Sequence, residues 1–195
     1  MLYYYDENLA DILDALSALL GGGIMPLVNI AIYVFTALSL HTIARRRGIA
    51  CPWLAWIPVA NLWLLGSLSD QFRYLTQGKV NAKRVWLLVL EIVAAAPGIV
   101  AVVLAVMMVF MPQRIAGYLL ALVLCALIAL VLHIVRVVLG YVALRDVYAS
   151  CDPENATLYL VLSILFGFLK PIFLFLCRNQ DKGMPPRRNP EVENF

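Results

Sequence analysis

Apolar residues run along this chain in long blocks separated by short polar, mostly basic stretches. The first block is mixed. Leu9, Ile12, Leu13, Leu16, Leu19 and Leu20 recur at helical spacing while Asp11 and Asp14 take the other face, which predicts an amphipathic helix at a membrane interface over residues 1–24. Tyr3, Tyr4 and Tyr5 suit the headgroup zone, and Gly21-Gly22-Gly23 is expected to break the helix. A first spanning helix follows over 25–42, stopped by Arg45-Arg46-Arg47. Residues 85–110 and 115–141 are two further spans, joined by the tight turn Met111-Pro112-Gln113-Arg114.

Two apolar blocks are different. Residues 52–68 and 158–176 are interrupted by Pro58 and Asn61 in the first and by Gly167, Lys170 and Pro171 in the second. Crossing a hydrocarbon core of about 30 Å takes about 20 apolar residues, so shorter or broken runs fit re-entrant segments. Between and after them lie a basic loop, 69–84, with Arg73, Lys79, Lys83 and Arg84 against Asp70, and a flexible polar tail, 178–195.

Composition fixes the solvent. The chain is 63% hydrophobic and 14% charged, with a mean hydropathy of +0.87, whereas soluble domains are about half apolar and a quarter charged. A single core cannot hide that much apolar surface, so the expected class is an all-α integral membrane protein, one domain over 1–195, with the lipid bilayer as its first partner. The net charge of +3 carries no basic stripe or reading motif for nucleic acid. Charge placement gives orientation. The acidic N-terminal segment contrasts with three net-basic stretches: the triple arginine, the 69–84 loop and the tail. The positive-inside rule puts all three in the cytoplasm and the N-terminus outside. That requires three full spans and two segments that enter and return; a five-span alternative strands one basic loop outside. The start of the chain lacks a basic n-region, so the first long helix is expected to serve as its own insertion signal. Arg45, Cys51 and Pro52 correspond in order to Arg145, Cys151 and Pro153, a cysteine followed closely by proline in each, which suggests a parallel internal repeat within 25–177.

Gly48, Trp53, Ile57, Pro58 and Asn61 form a G-x(n)-W-x-x-x-I-P-x-x-N pattern. Together with the run from Arg178 to Pro185, it resembles a group of small bacterial polytopic membrane proteins of unknown function. Ala60 departs from the pattern, where an aromatic residue is expected. The resemblance implies a bacterial membrane protein and no particular activity.

Ionisable groups within apolar helices are expensive and need a reason. Glu91 lies about two turns inside the second span, Arg136 at similar depth on the third, and His133 one turn further along the same face. Antiparallel packing lets Glu91 meet Arg136, either as a structural ion pair that sets helix register or as a proton or substrate site with His133 able to titrate. Lys170 either joins this cluster from the tip of the second short segment or snorkels to the surface. Asn61 is expected to satisfy backbone groups freed near Pro58, and Asn29 to hydrogen-bond another helix. Cys51, Cys151, Cys177 and His41 form a zinc-type set by residue type but not by spacing. No catalytic or phosphate-binding motif is present, and no cofactor is expected. The order of expectation is therefore a non-enzymatic accessory or scaffold packing with a membrane partner or a second copy, then a small oligomeric transporter or channel. A lipid-directed enzyme using Glu91 and His133 comes third, since nothing supplies a nucleophile.

Overall fold

The computed structural model of the chain describes residues 9, 11–14, 16–78 and 82–185. Among these, every regular element is helical. Three helices are long and apolar enough to cross a bilayer: Asp11–Arg46, Lys83–Phe110 and Ile115–Cys151.

The first runs unbroken through the three glycines. Leu19–Ile24 forms a π-helical turn that leads into α1, Met25–Arg46. The expected break, and with it a separate interfacial helix, is therefore not formed by the described residues. Pro26 explains the geometry: its ring crowds the carbonyl of Gly22 and it has no N–H to donate there, so the turn before it widens. Tyr3, Tyr4 and Tyr5 lie outside the described residues.

Residues 52–68 fold as a 3-10 turn, Pro52–Trp56, and the start of α2, Ala60–Gln77. The expected basic loop is thus half helix. Leu68, Phe72 and Leu75 keep helical spacing through the polar sequence and extend α2 until Gly78, whose φ of +66° ends it. Lys79 lies outside the described residues. The second long helix, α3 (Lys83–Phe110), has its first backbone N–H groups capped from α2: Lys83 and Arg84 N donate to the Asp70 carboxylate at 3.2 and 3.1 Å. A short 3-10 turn, Pro112–Arg114, reverses the chain into α4, Ile115–Cys151, which runs ten residues beyond the expected end at Tyr141. Residues 158–176 become two short helices, α5 (Ala156–Leu165) and α6 (Leu169–Cys177), with Phe166-Gly167-Phe168 between them. Pro171 sits in the first turn of α6, where a missing N–H costs no helical bond.

Both short segments reverse direction and return to the basic end of the long helices. Tyr33, midway along α1, donates to the carbonyl of Trp56, and α2 then runs back. Tyr141 donates to the carbonyl of Ser163 at 3.4 Å, and α6 returns to Arg178, whose carbonyl accepts from Arg46 at 2.6 Å. The core lies at this end, around Ile43, Leu64, Leu68, Leu144, Tyr148 and Leu174. It forms a helical cap from which α1 and the α3–α4 pair project. Each fully buried leucine there contributes about 1.5–3 kcal/mol. Beyond the cap, α1 makes no close backbone approach to α3 or α4.

Two glycines set close approaches. A Cβ on Gly66 would lie 2.5 Å from the Cα of Arg84, so α2 and α3 touch backbone to backbone. We expect Gly66→Ala to cost about 1–3 kcal/mol through forced separation of these helices, read as a lower thermal midpoint in detergent; an unchanged midpoint would contradict the contact. A Cβ on Gly183 would lie 2.0 Å from the carbonyl oxygen of Ala149. The first part of the tail, 178–185, is accordingly docked rather than flexible. Lys182 and Gly183 N donate to the carbonyls of Cys151 and Ser150, both at 3.1 Å, and cap the C-terminus of α4. Residues 186–195 lie outside the described residues.

The order of elements recurs in the two halves, but the residues proposed as equivalent do not. Cys51 is exposed in a left-handed conformation, whereas Cys151 is buried at the end of α4.

Candidate functional site

Antiparallel packing of α3 and α4 brings Glu91 and Arg136 together. Arg136 Nη1 donates to Glu91 Oε2 at 2.6 Å, with both side chains about a quarter exposed. One turn away, His133 Nδ1 lies 3.2 Å from Arg136 Nη2. A guanidinium only donates, so Nδ1 accepts and a neutral His133 carries its proton on Nε2. These three residues line an open groove of about 640 Å³ with Ala94, Ala95, Ala126 and Ala129. The pair stands about 30 Å along α3 and α4 from the turn at 111–114, close to the thickness of a bilayer hydrocarbon core.

Lys170 does not join the groove. It lines a second cavity, of about 220 Å³, further along the same face of α4, with Arg136, Leu62, Val137, Gly140, Tyr141 and Leu144. Arg136 is thus shared between the two sites, while Glu91 belongs to the first alone.

The motif residues build the first reversal. Gly48 adopts φ +68° just after α1, a conformation open to glycine at little cost. Trp53 and Ile57 are exposed, Pro58 lies in the turn, and Asn61 N donates to the carbonyl of Ile57 at 2.9 Å in the first turn of α2. The Asn61 side chain makes no hydrogen bond among the described residues, so the expected repair of backbone near Pro58 is made by its main chain instead. Asn29 is exposed on the projecting part of α1, also with no side-chain partner among the described residues.

A buried polar network has no counterpart among the sequence expectations. Asp146, 4% exposed, accepts from Ser69 Oγ at 2.6 Å, Arg73 Nε at 2.8 Å and Lys83 Nζ at 2.5 Å. It ties α2, the start of α3 and α4 together. The hydrogen bond to Asp146, and its negative charge, hold the Arg73 guanidinium above its ordinary pKa. A second network secures the tail: Asp181 pairs with Arg46 and, at 2.8 Å, with Arg47, whose Nη2 also lies 3.4 Å from Cys151 Sγ. The only sequence signal for either network was a lone acidic residue in a basic neighbourhood. Its partners lie 63 to 77 residues away for Asp146, beyond any local periodicity. With three donors on its oxygens, Asp146 is a structural tie and not an acid or base presented to substrate.

Among the described residues, no group of three or more His, Cys, Asp or Glu side chains converges as metal ligands. Cys151 and Cys177 are buried beside each other, with Cys51 exposed elsewhere. Comparison with known proteins gives no match: no family model, no curated protein and no solved structure is similar to the chain. The site is therefore read from its own chemistry. It offers one open ion pair with an imidazole beside it, one cavity lined by an arginine and a lysine, and no nucleophile held against a base.

Proposed function

We propose that this chain is a multi-pass membrane protein with a non-enzymatic, assembly-forming role, its N-terminal side outside and its basic cap at the cytoplasmic face. The observation that carries this is the separation of α1 from the α3–α4 pair beyond the cap. The projecting helices expose large apolar side chains on nearly every face, among them Leu27, Ile30, Ile99, Val102, Leu120 and Leu127. Such surface suits lipid and the helices of a partner or a second copy. Asn29 adds an unused hydrogen-bonding group on the projecting part of α1, the kind of residue that joins helices in a bilayer.

Lengths support the placement. About 30 Å separates Asp14 from Tyr33 on the long helix Asp11–Arg46, Phe110 from Glu91 on α3, and Ile115 from Arg136 on α4. The two reversing segments reach only to this inner boundary, where Trp53, Trp56, Phe166 and Phe168 are exposed. In this reading they reach headgroup depth on the cytoplasmic side and return. All three basic stretches then share one side, as the positive-inside rule favours. The same ruler puts the Glu91–Arg136 pair at the boundary rather than mid-membrane, which weighs against an ion path through one chain.

The test is the mass of the chain extracted in mild detergent, measured by light scattering with the detergent contribution subtracted. A mass above one chain, or a stoichiometric co-purifying membrane protein, is expected. Asn29→Leu is expected to weaken the assembly by about 1 kcal/mol. A lone monomer at every protein concentration would refute the proposal.

A further inference from the structure

Arg136 faces two sites, and in the second Lys170 has no counter-ion of its own among the described residues. The cavity beside Lys170 is lined by two basic side chains, Arg136 and Lys170, between apolar walls formed by Leu62, Val137 and Leu144. Arg136 and Lys170 line the same cavity, so a charge on Lys170 has a guanidinium and no carboxylate beside it. Glu91 is committed to Arg136 in the first site and does not line this cavity. The Lys170 ammonium has no hydrogen bond or ion pair among the described residues, and only its backbone carbonyl is used, by Tyr148 at 3.4 Å. Cations brought together against apolar walls are costly unless an anion joins them. The volume of about 220 Å³ is several times the share of one water, so a group larger than water fits.

We infer that this cavity binds the phosphate of an anionic phospholipid from the cytoplasmic leaflet. The inference rests on the membrane placement proposed above. That placement sets Arg136 about 30 Å from the outer turn, at headgroup depth. Leu165, Phe166 and Phe168 lie exposed at the tip just before Lys170 and offer a surface for acyl chains next to the phosphate. The guanidinium provides planar paired donors and the ammonium a compact charge, the two ways side chains hold phosphate. Gly140 keeps the wall open, since a Cβ there would meet nothing within 4 Å.

The experiment uses the full chain in a neutral detergent. Its unfolding midpoint is followed as phosphatidylglycerol, phosphatidylcholine or inorganic phosphate is added. Phosphatidylglycerol is expected to raise the midpoint, and the other two to leave it near its starting value. Lys170→Met removes a side chain with no partner, so it should fold, and it should need about tenfold more phosphatidylglycerol for the same rise. Lys170→Arg should behave like the parent, and Gly140→Leu, which fills the cavity, should lose the response. An equal response in the parent and Lys170→Met, or none in the parent, overturns the site. An equal rise with inorganic phosphate overturns the lipid in favour of a free anion. Failure of the membrane placement reads differently, as release of the chain from membranes by alkaline carbonate. Retention there with no lipid response rejects the headgroup site alone.

Discussion

Replacing Asp146 with alanine is expected to open the cytoplasmic cap, at a cost of about 3–5 kcal/mol. Arg73 and Lys83 converge on this one buried carboxylate from α2 and α3. Its removal leaves two cations facing each other and takes the acceptor from the Ser69 hydroxyl proton. The helices should lose their fixed approach while the projecting parts of α3 and α4, which pair through other residues, remain helical. Thermal melts in detergent should therefore show a large fall in the midpoint of the tryptophan signal, with most helical content retained. Asp146→Asn keeps the shape and an acceptor but not the charge, and should fall between. Arg73→Gln should cost least, because Lys83 still pairs and Arg73 is the more exposed cation. A midpoint for Asp146→Ala within a degree of the parent would show that the network does not hold the cap.

The other large effect is an all-or-none reversal of labelling. Glu154, exposed between α4 and α5, and Gln113, exposed in the turn between α3 and α4, lie at opposite ends of α4. With the four native cysteines replaced, Gln113→Cys should react with a membrane-impermeant maleimide in intact cells. Glu154→Cys should react only after the cells are opened. Five full spans would exchange the two results, since residues 52–68 would then carry the chain outside once more. Cys177 is a poor reporter of the same question, because it is buried against the core.

The parts of this architecture that could be read from sequence were those governed by composition and length. Long uninterrupted apolar blocks gave the three long helices and the turn at 111–114. The breaks in helix within 52–68 and 158–176 followed from Pro58 in the first and Gly167 in the second. The Glu91–Arg136 contact followed from equal distances to a shared turn, a one-dimensional argument that survives folding. What could not be read depended on partners distant in sequence. Asp146 looks like one polar residue in the polar end of a helix until α2 and α3 fold against it. Lys170 was open to two placements, beside Glu91 or snorkelling to the surface, and it lines a cavity that includes Arg136 but not Glu91. The three glycines were misleading for a local reason. In an apolar setting a widened turn that keeps its hydrogen bonds costs less than a break that exposes them.

The docked tail separates two events in the life of the chain. The carbonyls that close α4 are capped by residues 182 and 183, made some thirty residues after the helix itself. At about 5–20 residues per second, the α3–α4 hairpin emerges a second or more before its own end can be sealed. Entry into the bilayer must therefore proceed with the cap unlatched. Asp181 then reaches Arg46 and Arg47, among the first basic residues made. Closure joins early and late sequence in one step and marks the point at which the cap is complete.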